Sequence, residues 1–138
     1  MRGRSGDELM KLPVRLRGIQ LGHAVDLLVD LPSDRVLGFE VRCGDDAHRF
    51  LPVSAVTVRD DELSVSSALT MLEEAELEFY RGRAASLSTL RGQQLLRAQL
   101  PVGRLRDVVV AAGGAVQAIV VDDGTEVPGG GLRLAPAA

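Results

Sequence analysis

With 138 residues, 46% of them hydrophobic and 25% charged, the chain suffices for one ordinary domain or two very small ones and is too apolar to stay disordered. Aromatics are only 3%, with no Trp, so the core is expected to be aliphatic and platforms for stacking bases are nearly missing. A formal net charge of -3 leaves no basic footprint for nucleic acid, and the bias of its sixteen basic residues toward Arg (Lys11 is the single Lys) is read as compositional, not as a phosphate-binding device.

Short Val-rich runs closed by Gly, Asp or Pro suit strands better than helices. In chain order they predict strands near His23–Val29, Val36–Arg42, Arg49–Leu51, Val56–Arg59 and Leu63–Val65. Turns are expected at Pro32-Ser33-Asp34, Gly44-Asp45-Asp46 and Asp60-Asp61. Ser66 or Ser67 then caps a predicted helix over Ala68–Arg81, with Leu69, Leu72 and Phe79 on its buried stripe and its glutamates outward. This helix is expected to pack between two halves. Beyond it, strands are predicted near Leu105–Val110, Val116–Val121, Glu126–Val127 and Leu132–Leu134. Five short strands at this spacing suggest a small antiparallel barrel.

The second set echoes the first. Gly22-His23-Ala24-Val25-Asp26 matches Gly103-Arg104-Leu105-Arg106-Asp107 at an offset of 81, and Leu16-Arg17-Gly18 matches Leu90-Arg91-Gly92 at an offset of 74. The difference implies seven extra residues before Gly103. Each Gly-x-x-x-Asp leads into an apolar triplet, Leu27–Val29 or Val108–Val110. A duplication follows, with unit 1 over residues 12–66, a connecting helix and linker over 67–87, and a shorter unit 2 over 88–136.

This arrangement resembles the PRC-barrel family. The parts that carry the resemblance are Arg17-Gly18, Gly22 to Asp26, Leu37-Gly38-Phe39-Glu40-Val41, Phe50-Leu51-Pro52 and the closing hairpin Val56–Val65. The second copy keeps Val127-Pro128 for the aliphatic-Pro step but lacks a counterpart of Glu62–Val65. The resemblance implies a mostly β protein: two small antiparallel barrels joined by one α-helix and used as a non-enzymatic interaction module. The family includes the cytoplasmic domain of the photosynthetic reaction centre H subunit and the C-terminal domain of a ribosome maturation factor. Neither specific role transfers, because this chain lacks the membrane helix of the one and the extra N-terminal barrel of the other.

The chemistry-bearing residues do not assemble into a catalytic pattern. His23 and His48 lack metal-ligand spacing, and Asp26, Asp30 and Asp34 lack the Gly-centred loop and terminal Glu of a calcium site. Asp26 and Asp107, being repeated, are expected to cap backbone N–H groups. Cys43 stands alone, which excludes an intrachain disulfide and a Cys-based zinc site. Gly113-Gly114 and Gly129–Gly131 fit no phosphate-binding motif, and Ser64, Ser66, Ser67, Ser86 and Ser88 have no nucleophile elbow. No catalytic residue, metal ligand or cofactor is therefore expected. Arg81, Arg83, Arg91, Arg97, Arg104 and Arg106 form a basic stretch that suggests a surface for an acidic protein partner.

The longest apolar run, Val108–Ala112, is far shorter than the roughly 18 residues of a membrane span, and no signal peptide is visible, so a cytoplasmic location is expected. Two alternatives remain: a ribosome- or RNA-associated assembly factor, and a barrel binding a small ligand. A symmetric homodimer is expected from an unpaired edge at Leu132–Leu134, unless Lys11–Leu16 covers that edge. DNA is not expected as a partner.

Overall fold

The aliphatic runs form strands throughout the computed structural model, which describes residues 3–136. A two-residue strand β1 (Arg4–Ser5) opens into one turn of helix, α1 (Gly6–Leu9). Then come β2 (Pro13–Leu16), the long β3 (Ile19–Asp30), β4 (Arg35–Cys43) and β5 (His48–Pro52). The short β6 (Val56–Val58) and β7 (Leu63–Val65) follow. After α2 (Glu74–Arg81), a second strand-and-turn opening appears as β8 (Ala85–Ser86) and α3 (Leu87–Leu90). The chain continues with β9 (Gln94–Arg97), the long β10 (Leu100–Val110) and β11 (Val116–Val121). It closes with β12 (Glu126–Pro128) and β13 (Leu132–Leu134). Strands β1, β2, β8 and β9 have no counterpart among the expected elements, because they are too short or too polar to show as apolar runs.

The strands make two sheets. One runs β5-β4-β3-β2-β7-β6, with β8 added against β3; the other runs β12-β11-β10-β9-β13, with β1 added against β10. Each sheet therefore takes its extra strand from the far part of the chain. All pairs are antiparallel except β2 with β7. Among the described residues neither path returns to its first strand, so pairing leaves open sheets where closed barrels are expected from the sequence.

The long strands β3 and β10 break their ladders at matching places. The β2–β3 register skips Leu21 and the β9–β10 register skips Val102; the β3–β4 register skips Val25 and the β10–β11 register skips Arg106. These positions lie 81 residues apart, the spacing of Gly22 and Gly103. Both glycines pass close to the next strand. A Cβ at Gly22 would lie 2.4 Å from the Arg42 carbonyl oxygen, and one at Gly103 (φ 141°) 2.9 Å from Val121 Cβ. The same spacing pairs the turn Arg17-Gly18 with Ala98-Gln99, all four at positive φ. The Leu-Arg-Gly match is thereby corrected: Leu16-Arg17-Gly18 lies at the β2–β3 turn, whereas Leu90-Arg91-Gly92 lies at the end of α3. The seven extra residues inferred from it are no insertion.

One aliphatic core spans both sheets. It joins Leu9, Val14, Leu27 and Phe39 to Leu87, Leu90, Leu105, Val108 and Ile119, all at most 2% exposed. Residues 4–9 and 85–87 lie outside the units expected at 12–66 and 88–136, yet their leucines sit inside this core.

The connecting segment departs from the predicted helix. Ser67 caps only a short 3-10 turn (Ala68–Thr70), its hydroxyl accepting from Leu69 N, and α2 begins six residues later than expected. Glu62 and Glu73 flank a stretch in which Leu72 instead extends, exchanging backbone hydrogen bonds with Phe50. The buried stripe shifts accordingly. Leu69 is 90% exposed and Phe79 53% exposed, while Leu77 is fully buried. Leu77 packs with Leu28 and Phe50 in a second small cluster, and Tyr80 stacks on Phe50 at 4.3 Å. The helix thus covers an outer face of the first sheet and does not sit between the halves. Its glutamates are exposed, as expected.

Candidate functional site

Three polar groupings reach the junction or the sheet faces. The first two centre on the repeated aspartates. Asp26 Oδ1 accepts from Leu27 N (2.9 Å) and Ser88 N (3.2 Å), and its Oδ2 accepts from the Ser88 hydroxyl (2.5 Å). Asp107 Oδ1 accepts from Val108 N (2.8 Å), and Oδ2 from Asp7 N (3.3 Å). The bulge just before each aspartate interrupts the ladder and re-aims the carboxylate. Each one therefore meets the first turn of the short helix supplied by the other half, α3 for Asp26 and α1 for Asp107. There it satisfies N–H groups that a helix start leaves without partners. The same helices are also capped locally, by Ser5 on Glu8 N and by Ser86 on Thr89 N.

The third grouping is on the face covered by α2. Glu40, 10% exposed at its side chain, meets His48 Nδ1 at 2.5 Å and accepts from Arg81 at 2.7 Å; Arg81 also binds Glu78. Burial works against the charged Glu40, but hydrogen bonds from Arg81 and then His48 outweigh it and hold the carboxyl below its usual range. This cluster ties α2 to β4 and β5. The other polar candidates are dispersed: His23 is exposed on β3, Asp30 accepts from the Ser33 hydroxyl, Asp34 occupies a turn at positive φ, and Cys43 is buried. Among the described residues no three His, Cys, Asp or Glu side chains gather as metal ligands.

The six arginines of the expected partner surface fall into separate places. Arg81 is committed to Glu40 and Glu78, and Arg83 lies 4.5 Å over the Phe79 ring. Arg91, Arg104 and Arg106 come together, but each donates to backbone: Arg91 to the Arg106 carbonyl, Arg104 to that of Gly92, and Arg106 to that of Asp122. Arg97 binds the carbonyls of Pro128 and Gly130 in the closing loop. The structure thus joins three of the six and spends most of them on holding turns.

What sequence reasoning missed is a pair of grooves where the halves meet. One, of about 610 Å³, runs between the end of β3 with the segment Gly82–Ala85 and the strand β13. The other, of about 700 Å³, runs between β1, β6 and the turn after β10. Their walls correspond at the 81-residue spacing: Val29 with Val110, Leu31 with Ala112, Ala85 with Arg4, and Leu90 with Leu9. The repeated words around residues 22–29 and 103–110 carried that spacing, but the exchange of leading segments that builds the walls has no sequence signature. Both grooves hold the terminal strand of a sheet, β13 in the first and β6 in the second. β13 pairs on one side with β9 of its own chain (Leu132 with Arg97, Leu134 with Leu95) and ends the sheet, so among the described residues its other side is an unpaired edge. Lys11–Leu16 does not cover it, since β2 lies between β3 and β7.

Among the described residues no helix is long and apolar enough to cross a membrane. Compared with known proteins, the chain matches no family model, and no curated protein is significantly similar to it.

Proposed function

We propose that this chain is a non-enzymatic protein of two PRC-barrel-like units, related by duplication, that serves as a protein–protein interaction or scaffold module. The matching bulges, glycines, capping aspartates and grooves at one spacing support the duplication, and the motifs quoted above support the family. The observation that carries the interaction role is the groove beside β13. It is a largely apolar cleft at the meeting of two sheets, while the buried carboxylates Asp26 and Glu40 are consumed in tying elements together. A cleft without converging reactive groups suits docking better than catalysis. The test is quantitative affinity capture on the immobilised full chain from native cell extract, with an unrelated immobilised protein as control. A reproducible protein partner, retained at physiological salt and insensitive to nuclease, is the expected result. Recovery of RNA alone would favour the assembly-factor reading, and no specific recovery would overturn the proposal.

The groove volume also suits a small apolar ligand. A thermal-shift screen of metabolites in which a compound raises Tm, with loss of that shift in Leu134→Ala, would favour the carrier reading instead.

A further inference from the structure

We propose that the groove beside β13 binds an extended segment of a partner protein, apolar and acidic in alternation, which adds as a strand to the free edge of β13. The proposal deepens the interaction reading above and rests on it. The second sheet ends at β13, whereas the first continues past the corresponding neighbour of β2 to one more strand, β6. The place of that missing strand is open. Four consecutive residues, Gly131 to Leu134, line the groove and none of β9 does, so the groove lies along the side of β13 away from its partner.

The register says which groups are on offer. Ala135 N donates to the Gln94 carbonyl, and alternate residues of an antiparallel ladder face the same neighbour. Arg133 therefore turns its backbone toward β9, and Leu132 and Leu134 turn their N–H and C=O groups to the open edge. Such an edge is a template for another strand. Leu132 is buried and Leu134 half-buried, so the added strand places apolar side chains on that face and its intervening side chains beside Arg133.

Charge selects the occupant. Arg83 and Arg133 both line the groove, and among the described residues neither makes an ion pair or a side-chain hydrogen bond; the Arg83 guanidinium lies over the Phe79 ring. Asp30 is the one carboxylate in the lining, and it already accepts from Ser33. A second copy of the chain fits poorly, because two-fold pairing centred on this strand sets Arg133 opposite its own counterpart, and like charges directly opposite destabilise a strand pair. An acidic strand is complementary.

The probe is an acetylated and amidated heptapeptide alternating valine with glutamate, titrated into the full-length protein and followed by backbone amide shifts. Saturable shifts centred on Gly131–Leu134 and Ala84 are expected. Exchanging glutamate for lysine in the peptide, or making Arg133→Glu, is expected to weaken binding about tenfold, and the two changes together to restore it. Leu134→Pro removes one outward N–H, a substitution that an edge strand tolerates, and is expected to abolish binding where Leu134→Ala keeps part of it. Shifts elsewhere, or an affinity unchanged by Arg133→Glu and Leu134→Pro in proteins of native circular dichroism, would overturn the proposal. So would a dimer in sedimentation that Arg133→Glu dissociates. If extract partners are captured equally by wild type and Arg133→Glu, the groove is refuted while the interaction role stands. Peptide binding at β13 without any extract partner supports the edge and refutes the cellular role.

Discussion

Replacing Asp26 by Ala tests whether the repeated aspartates are structural ties between the halves. The side chain is almost fully buried and accepts from three donors, two of them on Ser88, sixty-two residues away. Its loss leaves two backbone N–H groups, Leu27 and Ser88, with no acceptor, and each such group costs about 1–3 kcal/mol when water cannot replace it. Some water enters the space left by the carboxylate, so a total of about 3 kcal/mol is expected, a fall in Tm of roughly 10 °C. Asp26→Asn keeps an acceptor for both N–H groups and lets the Ser88 hydroxyl turn to accept, so about 1 kcal/mol is expected. Guanidinium unfolding at constant m is the assay, repeated for Ser88→Ala and the double variant. The cycle should show coupling of about 1 kcal/mol, because both changes break one contact. Asp26→Ala losing less than about 0.5 kcal/mol, or strict additivity with Ser88→Ala, would refute the idea that this carboxylate fastens α3.

Three further outcomes follow from the same geometry. Leu77→Asp should destabilise by more than about 4 kcal/mol or prevent folding, whereas Leu69→Asp should change stability by less than about 0.5 kcal/mol, read by thermal unfolding. Because the Glu40 carboxyl is held below its ordinary range in the fold, its contribution is complete above that range and is lost as pH falls through the lowered value; Glu40→Gln should flatten the stability curve below about pH 4.5. Residues 12–66 expressed alone should lack dispersed amide signals, since they lose the fully buried Leu87 and Leu90, each contributing about 1.5–3 kcal/mol; co-expression with residues 67–138 and restoration of 1–11 should recover them.

The strands with the densest aliphatic runs were legible because a strand covered on both faces, fully at Leu27–Val29 and partly at Val108–Val110, needs near-continuous apolar sequence. Leu27–Val29 and Val108–Val110 could hardly be anything else. The short exchanged openings were not legible, for an equally physical reason. Ser5 and Ser86 read as ordinary polar residues, although each caps a one-turn helix, and the carboxylates of Asp107 and Asp26 that complete the capping come from the other half of the chain. The connecting helix misled because Leu69, Leu72 and Phe79 do fall on one helical stripe. The backbone of Leu72 gains more by pairing with Phe50 at the sheet edge than by continuing a helix, and α2 then turns so that Leu77 alone is fully buried.

The site is harder to read than the fold because its walls come from residues that no local pattern joins. Ala85 faces the groove only because β8 is paired to β3, and Leu134 only because β13 takes the place beside β9. The basic residues illustrate the same point from the other side. Clustering along the chain pointed to six arginines, yet Arg97, Arg104 and Arg106 spend their donors on carbonyls of nearby turns, which ordinary loops require. Arg133, outside that cluster, is left beside an open strand edge. Charge available for recognition is therefore what remains after backbone satisfaction, a quantity set by the fold and invisible to composition. The unspent donors gather at this edge, at Arg83, Arg133 and the outward N–H groups of Leu132 and Leu134, whereas the other five arginines of the basic stretch are bonded to carbonyls or carboxylates.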